Sequence, residues 1–129
     1  MKLIIDTDPG IDDAIAIALA HALPQVDLIG MTAVFGNTHV VQSSRNARYL
    51  ADLLSFDVPV AEGAALPYGE DSYAPSDYVH GPEGLGDLTT IPQIGQNDPR
   101  NAAQFLCEMA AKHAGELVIC AIGPLANIA

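Results

Sequence analysis

Apolar residues fall in short runs and helical-period segments along this chain, separated by clusters of Gly, Pro, Asn and Asp. Residues 2–6 are a brief apolar run that stops at Asp6-Thr7-Asp8-Pro9-Gly10, a strand meeting a turn. Residues 12–23 alternate Ile15, Ile17 and Leu19 with alanines, a pattern that period alone leaves between strand and helix. The alanine content, Asp12 or Asp13 as N-cap, and Pro24 as a stop favour a helix. Apolar nearly all round, that helix is expected to be well buried.

Residues 26–35 read as a second strand closed by Gly36-Asn37, and residues 39–54 as a helix with Val40, Ala47, Leu50, Ala51 and Leu54 on one face. Val58-Pro59-Val60-Ala61 is a third strand, placed at an edge by its proline. Residues 62–97 are a long loop rich in Gly, Pro, Ser and Asp, a length that usually carries function. Asp98-Pro99 reads as N-cap and first helical position of a helix through Ala102, Leu106, Met109 and His113 that Gly115 closes. Residues 117–122 are a fourth strand, and Gly123-Pro124 begins another helix that stops on apolar residues, as in a truncated domain. This alternation predicts an α/β fold: an open, mainly parallel, Rossmann-like sheet flanked by helices.

Composition narrows the partners. With 129 residues the chain is one domain by length, 50% hydrophobic and without Trp, so its core is Ile, Leu, Val and Ala. A formal net charge of −11 argues against a nucleic-acid polymer, whose phosphates would be repelled. No uncharged apolar stretch approaches the ~18 residues of a membrane span, and the opening run is too short for a signal peptide. Cys107 and Cys120 lie in apolar segments without CxxC spacing and read as buried thiols of a reducing cytoplasm. The apolar C-terminus favours association, so a homo-oligomer is expected.

Asp6, Asp8, Asp12 and Asp13 place four carboxylates within eight residues at the carboxyl end of the first strand. Two unit charges at about 4 Å repel by roughly 4 kcal/mol at an effective dielectric near 20. Core segments flank the cluster on both sides, so a hard divalent cation with oxygen ligands is the economical counter-charge. The absence of His and Cys disfavours zinc. Turn hydrogen bonding to backbone N–H groups suffices for Asp6, and N-capping competes for Asp12; neither requires both Asp8 and Asp13. With strand order 3-2-1-4, Asp8 and the Ile122 carbonyl would converge at the crevice between the first and fourth strands.

Asp6-Thr7-Asp8-Pro9-Gly10-Ile11-Asp12-Asp13-Ala14 resembles the DxDPGxDDA signature of the inosine-uridine nucleoside hydrolase family. Val34-Phe35-Gly36-Asn37-Thr38, the stretch from His80 to Gly86, and Ile122-Gly123-Pro124-Leu125-Ala126-Asn127-Ile128-Ala129 resemble further family segments in the same order. Ala126 stands where the family usually has threonine. The resemblance implies that the chain is the N-terminal portion of one nucleoside hydrolase domain, cleaving ribonucleosides to ribose and a free base. It implies Ca2+ held by Asp8, Asp13 (through both oxygens) and the Ile122 carbonyl, with Asp8 also the base for the attacking water. It assigns ribose hydroxyls to Asp12 and Asn37, and help for the departing base to His80. A later acidic calcium ligand, further ribose contacts and a late histidine of the family pattern have no counterpart in these residues.

Two other readings stand beside it. Asp6-x-Asp8 after a strand is also similar to haloacid-dehalogenase-type phosphotransferases, although Gly10 occupies the place of their hydroxyl residue and Lys112 lacks their acidic pair. A non-catalytic chain that binds calcium or ribose is the other.

Overall fold

The computed structural model describes all 129 residues. Four strands, β1 (Lys2–Thr7), β2 (Asp27–Ala33), β3 (Val60–Glu62) and β4 (Leu117–Ala121), form one sheet of order β3-β2-β1-β4. Every pairing is parallel. This is the order that the convergence of Asp8 and Ile122 requires, and the third strand, which Pro59 immediately precedes, lies at an edge as expected. The helices are α1 (Ile11–Ala22), α2 (Val40–Leu53), α3 (Asp77–His80) and α4 (Ala102–Lys112), and a 3-10 turn spans Leu125–Asn127.

The two faces of β1 set the layers, because successive side chains of a strand point opposite ways. Leu3 and Ile5 pack with Ile17 and Ala20 of α1, Ala47 and Leu50 of α2, Met31 and Val60. Ile4 faces the other way, into Ala61, Phe105, Leu106 and Met109. Thus α1 and α2 cover one face and α4 the other. Gly30 allows the α4 layer to close: a Cβ there would lie 2.6 Å from the Phe105 ring. The connections leaving β1 and entering β4 run on opposite faces, which opens a crevice at the carboxyl ends of these two strands.

Several expectations are corrected. The first helix starts at Ile11 after Gly10 as N-cap, so neither Asp12 nor Asp13 caps it. Nor is that helix buried all round: only Asp13, Ile17 and Ala20 are, while Ile11, Ile15 and Leu19 form an exposed apolar stripe, because a single sheet face covers one side of the helix. The N-cap of α4 is Asn101, whose side chain accepts the Gln104 N–H; Asp98 pairs with Arg100 at 2.7 Å instead. Both Cys107 and Cys120 are exposed, since α4 turns Cys107 outward and β4 is an edge strand in this chain. Within residues 62–97 the only helix is α3, and the loop is pinned to the body by Tyr73, whose hydroxyl donates to the Thr38 carbonyl at 2.6 Å.

Candidate functional site

The carboxyl end of β1 carries alternating side chains into two polar networks. Thr7, on the α1 side, donates its hydroxyl to Asp13 Oδ1 at 2.6 Å. Gly10 has no side chain with which to cap α1, and Asp13, three residues on, accepts the Gly10 N–H through Oδ2 at 3.1 Å. Asp13 is thereby buried and held from both sides. Asp12, in the same turn, projects outward with its side chain 82% exposed.

On the opposite side of β1, Asp6 is fully buried. The sequence suggested backbone N–H partners for it, but its partners are side chains. Oδ1 accepts the Thr32 hydroxyl at 2.5 Å and the Asn127 amide at 2.8 Å. Asn127 also donates to the Ala33 carbonyl at 3.0 Å and accepts the Ala64 N–H at 2.8 Å, so one residue ties the carboxyl ends of three successive strands. Burial raises the Asp6 carboxyl above the usual range, opposed by the hydrogen bonds from Asn127 and Thr32.

Asp8 sits between two glycines. A Cβ at Gly36 would lie 2.0 Å from its Oδ2, and one at Gly123 would lie 2.8 Å from its Oδ1. Only glycine lets both backbones approach this closely. Oδ2 accepts the Asn37 N–H at 2.8 Å, whereas Oδ1 has no hydrogen-bond partner. The Ile122 and Gly123 N–H groups both turn to the Asp6 carbonyl, at 2.9 and 3.3 Å. The Ile122 carbonyl accepts no hydrogen bond. Burial, above all, pushes Asp8 up to about 7; the Asn37 N–H opposes this and the Asp13 and Asp12 charges add to it.

His80 ends α3 and is mostly buried, its side chain 14% exposed. Nδ1 accepts the Ile11 N–H at 3.3 Å, which supplies the cap that Gly10 cannot and leaves the ring proton on Nε2. Asp12 Oδ1 lies 3.8 Å from the same nitrogen. His80, Asp12 and the aspartate turn are therefore neighbours despite their separation in sequence.

No group of three or more His, Cys, Asp or Glu side chains gathers as a metal site. The donors at hand are two carboxylates, Asp8 and Asp13, and the Ile122 carbonyl, all hard oxygens of the kind calcium takes. The partnerless Asp8 Oδ1 and Ile122 oxygen, together with the cost of keeping Asp8 ionised when buried, fit a cation there. Asp13 Oδ2 already accepts from Gly10 and, at 3.2 Å, from the Asn37 side chain. Ligation through both its oxygens thus requires the Asn37 amide to turn away.

Thr7, Asn46 and Asn127 were not singled out from the sequence. Asn46 had a signal: with Ser43 and Leu50 it shares the buried face of α2, and a polar residue on an apolar face needs partners. Thr7 and Asn127 lay inside the recognised motifs without a separate signal.

The inosine-uridine preferring nucleoside hydrolase family model matches residues 3–129. The chain is 45% identical to uridine nucleosidase 1 of Arabidopsis thaliana over 129 residues, covering 99% of this chain and 38% of that protein. It is 36% identical to the inosine-uridine preferring nucleoside hydrolase of Leishmania major, with 99% and 41% covered. Among solved structures, the purine-preferring ribonucleoside hydrolase from Gardnerella vaginalis superposes with a TM-score of 0.94 at 35% identity, covering 99% of this chain and 42% of that one. The chain therefore spans about two-fifths of the length of these relatives.

Proposed function

The chain belongs to the inosine-uridine preferring nucleoside hydrolase family, and from that premise we propose that it carries the carboxylate-lined part of a calcium-dependent ribonucleoside hydrolase site. The reaction is cleavage of the N-glycosidic bond to give ribose and a free nucleobase. The observation that carries this reading is the placement of Asp8, buried between Gly36 and Gly123, with Oδ1 lacking a hydrogen-bond partner and lying beside the Ile122-Gly123 segment that follows β4.

Asp8, Asp13 and the Ile122 carbonyl are the residues that would hold calcium. When bound, the ion supplies charge balance for the carboxylates and a lowered pKa for a water molecule. Asp8 accepts the proton of the attacking water. Asp12 and Asn37 bind ribose hydroxyls, which fixes the sugar against the nucleophile. The acidic pocket stabilises the oxocarbenium-like charge that develops as the glycosidic bond lengthens. His80, with Nδ1 committed to Ile11, offers its Nε2 proton toward the departing base. No helix is long and apolar enough to cross a membrane. Self-association belongs to the same reading and is supported by the exposed stripe of Ile11, Ile15 and Leu19.

Calcium and ribose binding without turnover is the second reading, in which the site is held by an incomplete set of ligands. Two carboxylates and one carbonyl fall short of the roughly six to eight oxygens calcium takes. Calcium titration followed by ribose release from inosine and uridine, in wild type and Asp8→Ala, separates the possibilities. Binding and release that both need Asp8 support hydrolysis, and binding alone supports the second reading. Ribose release unchanged in Asp8→Ala removes Asp8 from the mechanism.

A further inference from the structure

Asn46 is fully buried on α2, and every hydrogen-bonding position of its side chain is used. Nδ2 donates to the Glu83 carbonyl at 2.7 Å and to the Pro9 carbonyl at 3.4 Å. Oδ1 accepts from Arg45 Nε and Nη2, at 3.2 and 3.0 Å. A flipped amide would set oxygen against two carbonyls and NH2 against a guanidinium, so the orientation is fixed. Pro9 belongs to the turn that carries Asp8, and Glu83 to the loop that begins at His80.

The surroundings reinforce this link. Arg45 pairs with Glu83 at 2.6 Å, and Gln42 donates to the Pro82 carbonyl at 3.2 Å. Gly84, at φ +84°, fills the junction; a Cβ there would lie 3.0 Å from Asn46 Nδ2 and 3.1 Å from the Pro9 oxygen. The loop closes back on His80 through the Gly86 N–H, which donates to the His80 carbonyl at 2.8 Å. Whatever anchors residues 82–84 therefore also sets the position of His80.

We propose that Asn46 is a positioning residue that ties the Asp8–Gly10 turn to the His80 loop and so fixes how the His80 imidazole meets the first turn of α1. Its functional meaning rests on the roles given to Asp8 and His80 above, but the coupling is a property of the chain without ligands. Asn46→Asp tests it, since it keeps size and the pairing with Arg45 and replaces both donors by an acceptor facing two carbonyls.

The measurement is imidazole 15N NMR of His80 and amide exchange of Ile11 on the full chain. In wild type His80 is a single tautomer with Nδ1 unprotonated. In Asn46→Asp the two ring nitrogens move toward the averaged shifts of free imidazole, and the Ile11 amide exchanges about tenfold or more faster as local opening becomes easier. A folded Asn46→Asp protein with both readings unchanged overturns the proposal. Should that variant not fold, the wild-type Asn46 side-chain protons decide: slow exchange supports the clamp, and exchange at the rate of a surface asparagine overturns it. Failure of wild type to bind calcium or release ribose would defeat the proposed function and leave these readings intact.

Discussion

Asn37 holds Asp8 from two directions, its backbone N–H donating to Oδ2 at 2.8 Å and its side-chain amide to the Asp8 carbonyl at 3.0 Å. The remaining amide proton reaches Asp13 Oδ2 at 3.2 Å, so one residue of the β2–α2 turn links both carboxylates. Asp8 and Asp13 are five positions apart on elements that diverge, and this bridge keeps their charges on one side of the crevice.

Asn37→Ala keeps the backbone bond and removes the two side-chain bonds. The expected cost is about 1–3 kcal/mol, the usual penalty for stranding buried partners. Urea unfolding of wild type and variant checks it, and equal midpoints would show that the bridge contributes nothing.

The raised Asp8 value gives a pH dependence of defined sign. A folded-state value of about 7 against an ordinary 3.8 means that the folded chain holds this proton more tightly than the unfolded one. Its contribution to stability without calcium is complete below pH ~4 and is lost as pH rises through about 7. Asp6 is shifted in the same direction. The urea midpoint should fall from pH 5 to pH 8 in wild type and fall less in Asp8→Asn, which keeps shape without a charge. Identical pH slopes for the two proteins would contradict the assignment.

Gly123→Ala probes the cradle without backbone strain, because a positive φ is not required there. Its methyl group would lie 2.7 Å from Val34 Cγ1 and 2.8 Å from Asp8 Oδ1. Overpacking of this kind costs about 1–3 kcal/mol. Calcium affinity should fall along with stability, as isothermal titration and urea unfolding would read. Wild-type affinity in this variant would place the ion away from Asp8.

Asn127→Ala removes one of the two donors to the buried Asp6 carboxyl and leaves the Ala64 N–H and Ala33 carbonyl without their side-chain partner. A loss of about 1–3 kcal/mol follows from those stranded groups. Because the residue lies 121 positions from Asp6, amide exchange at the carboxyl ends of β1 and β2 should quicken together. A change confined to residues 125–129 would show that the 3-10 turn is an appendage.

The parallel α/β class and the edge position of the third strand were legible in the residues alone, because apolar run lengths, helix stops and the right-handed crossover rule leave few alternatives. The sequence also singled out Asp8 and Asp13, since so many charges between two core segments demand partners. Capping was misjudged at α1, where an acidic residue was expected at the N-cap and the structure uses Gly10, backed by Asp13 from within and His80 from a distant loop. Local rules describe what a residue can do for its immediate neighbours, and they do not reveal an acceptor 69 positions away. The same limit applies to Asn46, Asn127 and the two exposed cysteines. Their surroundings are set by which strand stands at the edge and which loop folds over the crevice. Tertiary structure alone decided those matters, because hydrogen-bond partners and solvent exposure depend on proximity in space, and the chain brings remote segments together only when the sheet closes.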